Sequence, residues 1–532
     1  MLVNLKNALV NPLIVLGIVL FSISFGLGQH AGYTYYLTSA QLIFIPTLLQ
    51  LVMPLSKLDK SILALGMLAV TALQLDVAAS FEMVCAIIYL IGTLLIAWKG
   101  VERFLNRGFT NTPEIMIDVG LIYIAIGGMW FLAFIGEFET GFSPLTNWLT
   151  AIHFHYSAFM LCISVGLLGR IRMTKLYKLC ALIIATGPMT VAIGITFSYT
   201  IEILSVSLYV VAIYALTFYV FRLKLQPAQS FLIRLSFLTL CLTILGSLLY
   251  AFGNFTGTTI VTIPDMLAFH GLLNCLVFGS FTVLGWALHG PATDQRPYSF
   301  PVSKIRGKLK ETGVQHPGLV DDLRDYVDVQ NLSPLIKRFY ERTENFQLLA
   351  SINWATWFKP LAFVYQFISR RMGQLNLPYS SSQIEMTGDI LLVDEQLDGR
   401  DMPRVWQRRI GAETVFVAIY SKHETDGLTF MNIALPLPFS SMHGILELTA
   451  KNEHLHLTSR GIGDSGTYLA IGRYVFKLPL HEYFIIEEHN GTLNATHDMT
   501  LFGIHFLHID YVITEKTNNP RKPVLYWLKM VY

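Results

Sequence analysis

Asp265-Met-Leu-Ala-Phe-His270-Gly-Leu-Leu-Asn274-Cys-Leu-Val-Phe-Gly279 is an apolar run broken by one histidine and one asparagine. A helix over it sets His270 and Asn274 four residues apart on one face, so a segment otherwise suited to lipid carries a polar pair that needs partners inside a helix bundle. The run is the last of ten hydrophobic stretches, at 8–28, 36–54, 61–78, 80–98, 114–136, 147–168, 177–197, 202–221, 232–253 and 264–288. About 20 apolar residues cross a hydrocarbon core of roughly 30 Å, so each is read as a membrane span.

Composition agrees. With 53% apolar and 14% charged residues and a mean hydropathy of +0.50, the chain is too hydrophobic for one soluble globule. Only Lys6 precedes the first run and no small-residue cleavage signal follows it, so the N-terminus is read as an uncleaved span. Loop charges test the count independently. Lys57 and Lys60, then Lys99, Arg103 and Arg107, then Arg170, Arg172, Lys175 and Lys178, then Arg222, Lys224 and Arg234, and finally Arg296, Lys304 and Arg306 occupy alternate connections only. The others carry Asp76, Glu82, Glu137, Glu139, Glu202 and Asp265. The positive-inside rule then gives an even number of spans with both termini in the cytoplasm. Pro46 and Pro188 each remove a backbone hydrogen bond and predict helix kinks.

Residues 1–290 therefore form an α-helical polytopic domain of about ten transmembrane helices, and 291–317 read as a basic linker. Residues 318–380 read as helical. Within them Trp354 and Trp357, followed by Arg370 and Arg371, suit a helix on the inner leaflet, with packing against a following sheet as the other reading. From 381 to 532 the period becomes two, with Asp398-Gly399, Asp426-Gly427 and Asn490-Gly491 as turns. The expected fold of the second half is thus a soluble α+β domain with an antiparallel β-barrel or half-barrel, since closure removes exposed edges. All five cysteines lie in the apolar half, which excludes a disulfide framework or thiolate zinc site in the cytoplasmic half. No P-loop, dinucleotide fingerprint, GxSxG elbow or HExxH helix appears. The run from Arg404 to Arg409 alternates like a strand and gives no reason to expect a nucleic-acid partner.

The sixth span opens Ala151-Ile-His153-Phe-His155-Tyr156-Ser157. At about 1.5 Å per residue, His153 and His270 both lie roughly 9 Å below the outer ends of their helices. His153 and His155 are about 200° apart on an α-helix, so one of them faces His270 unless the helix is distorted. Glu137 ends the preceding span on the same side, whereas Asp118 falls near the other end and is assigned to no common cluster. Imidazole with carboxylate is a ligand set for a metal ion, with His155 and His270 the metal-ligand candidates, or for axial haem ligation. The same groups relay protons, and the plain alternative is helix-to-helix hydrogen bonding. His454 and His456 share a strand face and are read as solvated.

His153-Phe-His155-Tyr156-Ser-Ala-Phe159 and His270-Gly271-Leu-Leu-Asn274 together resemble the YndJ-like membrane proteins of bacilli and related bacteria, over nearly the full length. In the second half, Arg338-Phe-Tyr-Glu-Arg-Thr and the stretch from Ser369 to Pro378 resemble uncharacterised bacterial domains. The resemblance implies a multi-pass protein of a bacterial cell membrane and carries no activity with it. The first functional expectation is a permease-like or proton-coupled protein acting through His153, His155, His270, Asn274 and Glu137, with a cytoplasmic ligand- or lipid-binding domain. The alternatives are an intramembrane metal or haem redox protein and a membrane-tethered lipid-binding module. Expected partners are the bilayer and an apolar small molecule or lipid; no cofactor is named.

Overall fold

The computed structural model describes residues 11–28, 32–75, 77–293, 298–308 and 313–516. Asp76, Arg296 and the first three residues of the first expected span lie outside them. The chain divides into two compact units, Met1–Phe104 with Asn111–Gln295, and Leu105–Thr110 with Arg296–Tyr532.

The helical unit contains α1 (Pro12–Leu27), α2 (Gly32–Val52), α3 (Lys57–Leu73), α4 (Ala79–Leu105), α5 (Thr112–Ile135), α6 (Pro144–Ile171), α7 (Lys175–Phe197), α8 (Tyr199–Phe221), α9 (Pro227–Thr256) and α10 (Ile263–Leu288). The starts follow local chemistry. Asn11 and Ser143 cap helices whose first residue is proline, while Ser56 with Asp59 and Thr262 with Asp265 form capping boxes. The expected ten spans are corrected to eight: α2 and α4 to α10 are the helices among the described residues that are long and apolar enough to cross a membrane. The described part of α1 has 16 residues, about 24 Å at 1.5 Å per residue and short of the roughly 30 Å core. The 17 residues of α3 begin with Lys57, Asp59 and Lys60, and Asp59 is buried 3.4 Å from Lys99.

Three helices carry wide, π-helical turns, at Ala40–Phe44 in α2, Phe154–Met160 in α6, and Met266–Gly271 and Leu273–Phe278 in α10. In α2 the cause is Pro46, which has no N–H for the Leu42 carbonyl. Gly17 of α1 approaches that carbonyl so closely that a Cβ would lie 1.9 Å from its oxygen. The wide segments meet. Tyr156 donates to the Tyr36 carbonyl (2.6 Å), its ring packs edge-on against Phe44, and a Cβ on Gly279 would stand 2.7 Å from Phe44. At Pro188, where a kink was expected, α7 continues as helix from Lys175 to Phe197.

In the second unit, α11 (Pro334–Glu341) precedes β1 (Phe346–Trp354), and α12 (Lys359–Met372) precedes β2 (Ser381–Leu392). The chain continues as β3 (Arg404–Ile410), β4 (Glu413–Thr425), β5 (Leu428–Leu437), β6 (Ser440–Lys451), β7 (His454–Thr458), β8 (Gly466–Ile471), β9 (Tyr474–Lys477), β10 (Leu480–His489), β11 (Thr492–Leu501) and β12 (Ile504–Glu515). Strands β1 to β7 pair in order, β7 pairs with β10, and β10, β11 and β12 return to β1. Ten antiparallel strands thus close a barrel, and the β8–β9 hairpin extends outward from β6. Strand β1 stands where a helical segment was expected. Residues 298–308, expected as linker, lie along the barrel wall: Lys304 donates to the Asp398 carbonyl, Gly307 donates to that of Leu437, and Phe300 packs on Phe430 and Tyr468.

Candidate functional site

In the helical unit, the wide turn of α6 separates its two histidines. His155 is fully buried. Its Nδ1–H donates to the Ala151 carbonyl (2.7 Å), which makes Nε2 the acceptor of the Tyr89 hydroxyl (2.6 Å). Only a glycine at position 127 leaves room, because a Cβ there would sit 2.7 Å from the imidazole. His153 is exposed, donates from Nδ1 to the Leu149 carbonyl (2.6 Å), and has its ring centroid 6.5 Å from that of His270. The structure therefore brings His153, not His155, to His270.

His270 and Asn274 form a closed set with α9. The His270 Nδ1–H donates to the Thr243 carbonyl (3.0 Å), the Asn274 amide donates to His270 Nε2 (3.1 Å), and the Thr243 hydroxyl donates to Asn274 Oδ1 (2.7 Å). These contacts belong to a longer row. Ser236, Thr243, Ser247 and Asn254 recur along one face of α9 over about 27 Å, and meet Thr282, Asn274, His270 and the buried Glu202 carboxylate respectively. Glu137 sits apart in an exposed turn after α5 with φ +50°. The expected metal-ligand pair is thus dispersed: His155 is satisfied by Tyr89 and Ala151, and His270 by Thr243 and Asn274.

Asp118 does belong to a cluster. At the start of α5, Arg103 pairs with Asp118 (2.8 Å) and Glu114 (2.7 Å), and Arg170 pairs with Glu114 (2.6 Å). Glu114 is 1% exposed, so the two arginines neutralise the two acids inside the bundle. Sequence spacing gave no sign of it, because the four residues come from three helices.

The barrel encloses a cavity of about 320 Å³. Its wall is apolar, with Leu348, Leu457, Phe484, Ile486, Ala495 and Ile509 among its residues. Side chains from α11 and α12, including Tyr340 and Tyr365, line it as well. Trp354 belongs to this lining, with its indole donating to the Pro378 carbonyl (3.1 Å), whereas Trp357 is exposed and donates to the His505 carbonyl (2.9 Å). Arg370 lies 3.7 Å from Glu413, and Arg371 is exposed.

Strand alternation turns Arg408 inward beside Trp406 while Arg409 points out to Asp389. The Arg408 guanidinium lies between two rings, 4.6 Å from the centroid of Trp406 and 4.3 Å from that of Phe416. Among the described residues it has no carboxylate partner, and its Nε is buried without a hydrogen bond. Tyr420 and Tyr511 flank it. Burial pushes the Tyr420 hydroxyl up to about 12, with the Arg408 charge acting the other way. The cavity also holds one acid, Glu482, whose carboxylate lies 3.3 Å from His497 Nε2 without forming a hydrogen bond to it.

Apolar helices of spanning length and a closed antiparallel barrel on one chain define an integral membrane protein with a β-barrel domain. The YndJ-like protein family matches residues 36–278. The Uncharacterized membrane protein YndJ of Bacillus subtilis (strain 168) is 39% identical over 459 residues, 81% of this chain and 83% of that relative, so the chain belongs to the YndJ-like family. No solved structure matches it.

Proposed function

We propose that this protein is a membrane-anchored receptor or carrier for an acidic amphiphile, with the apolar tail inside the barrel and a carboxylate or phosphate head at Arg408. The carrying observation is a mostly apolar cavity of about 320 Å³ lined by the Arg408 guanidinium, which has no ion-pair partner among the described residues. A volume of this order fits a small-molecule site, and a buried cation with no acid of its own favours an anionic guest. Arginine offers that guest two parallel donors. The large apolar side chains of α12 point outward, which supports contact between Trp357, Arg370, Arg371 and an anionic leaflet. Loop charge bias favours a cytoplasmic barrel and cytoplasmic termini.

The test uses full-length protein in nanodiscs, with a photoactivatable fatty acid and the matching fatty alcohol as probes. The acid is expected to cross-link to barrel peptides at one per chain. Ala495→Trp, which fills the cavity, abolishes labelling. Arg408→Met weakens capture of the acid about tenfold or more and leaves the alcohol unchanged, as loss of a charge-assisted hydrogen bond of about 1.5–3 kcal/mol requires. Equal capture of acid and alcohol by the wild type overturns the headgroup assignment. Labelling of helical-unit peptides alone overturns the barrel reading.

A second reading is favoured by the polar row on α9: a proton or polar-solute pathway through His153, His270 and Asn274. It ranks lower because the polar groups of the row are bonded to one another, whereas the barrel contains free volume. Proton flux into proteoliposomes that is the same for wild type and His270→Ala ends this reading.

A further inference from the structure

We infer that Asp498, His505 and His508, on the outer face of the β11–β12 hairpin, bind one divalent transition-metal ion. The site depends on a break in strand regularity. Residues 505 and 508 of an unbroken strand point to opposite faces of a sheet. Here the pairing passes from Met499 opposite Leu507 to Thr500 opposite His505, so Phe506 is an extra, unpaired residue. This β-bulge turns both Phe506 and Leu507 into the cavity and restores His505 to the face of His508, which itself lies opposite Asp498.

The donor atoms converge. Asp498 Oδ1 lies 3.1 Å from His505 Nε2 and 2.7 Å from His508 Nδ1, and the three atoms are all within 4.8 Å of one another. A zinc-like ion about 2.1 Å from each ligand sets tetrahedral ligand atoms roughly 3.4 Å apart, so small side-chain rotations suffice. Two imidazoles and one carboxylate are a borderline nitrogen and oxygen set that suits zinc, cobalt or nickel better than calcium.

A second carboxylate supplies an independent argument. His508 Nε2 lies 3.0 Å from Asp510 Oδ1. A carboxylate holding the far nitrogen is the arrangement that orients metal-bound histidines. His505 is exposed, which leaves a coordination position for water. The neighbouring carbonyls tie the site to the approach of α12, since His505 accepts from the Trp357 indole and Phe506 from the Ala355 amide (both 2.9 Å). An ion here therefore braces the hairpin at the point that holds the start of α12.

The experiment uses chelator-stripped, untagged full-length protein in detergent, titrated with Co2+ and Zn2+. One Co2+ per chain is expected, with visible absorption of a four- or five-coordinate ion. Zn2+ should displace it and raise the melting temperature. His505→Ala and His508→Ala each remove the band, and Asp510→Asn weakens binding 10- to 100-fold without abolishing it. The cysteines are buried or half-buried in the other unit, and His454, His456 and His489 remain in every variant as internal controls for surface binding. Cobalt affinity that is the same in wild type and the His505→Ala/His508→Ala double variant overturns the inference. So does a wild type without the band.

Discussion

His443 shows how one buried side chain makes the barrel depend on pH. It is enclosed by the wall segment 298–308, with Nε2 2.9 Å from Ser441 Oγ and Nδ1 3.2 Å from Asn432 Oδ1. Asn432 also accepts from Arg400, whose partner is Asp398. Burial, then the Arg400 charge, hold the His443 imidazole well below its ordinary range, and burial lowers His423 too. The unfolded chain takes up these protons near pH 6.5 and the folded chain does not. Stability is therefore full above about pH 6.5 and falls below it, by up to about 1.4 kcal/mol per pH unit for each such histidine. Melting of the barrel followed from pH 7.5 to 5.0 should show this loss, and His443→Gln should flatten the slope. An unchanged slope in the variant would assign the acid sensitivity to other groups. The sequence marked His454 and His456 in this half but not this network, because Ser441 and Asn432 become neighbours only through the β5–β6 pairing and Arg400 reaches Asn432 only in the folded barrel.

At the scale of elements, α12 is inverted with respect to an ordinary surface helix. Its inner face is made by Ala362, Tyr365 and Ser369, while Leu361, Phe363, Val364, Phe367 and Ile368 face outward, Phe367 with 65% of its surface exposed. Fully burying a side chain of this size stabilises by about 1.5–3 kcal/mol, so water is a poor final environment for the group. With the native cysteines buried or half-buried, Phe367→Cys offers a selective labelling position. A fluorophore there, in proteoliposomes, should be quenched by nitroxide lipids and protected from aqueous iodide; the opposite result would remove the membrane contact. The helix ending in Arg370 and Arg371 was legible, although Trp354 and Trp357 precede it and Trp354 turns into the barrel, and so were the alternating runs after Ser381 as strands. Strand β1 was not, because Leu349 breaks its alternation and its partners β2 and β12 lie far along the chain. The wide turns escaped for a related reason: a helix period of 3.6 is read from spacing, and an i to i+5 turn leaves the composition untouched.

For the whole molecule, the division between a helical and a barrel unit was visible as a shift from continuous apolar runs to period-two alternation. The span count was less secure, since α3 and the described part of α1 pass a composition test while falling short of the length that crossing requires. Among the described residues, the buried apolar cluster of the helical unit and those of the barrel unit are separate, so each unit has its own source of cooperativity. Calorimetry of the full-length protein in detergent should therefore resolve two transitions. A bound acidic amphiphile at about 100 times its dissociation constant stabilises the barrel by about 2.7 kcal/mol and should raise that transition alone. Gly17→Ala drives a methyl into the Leu42 carbonyl and should lower the other alone. If both perturbations move one shared transition, the units unfold as a single body. Occupancy of the barrel would then be felt throughout the helices, and a binding event could bias the polar row on α9 without any residue being common to the two sites.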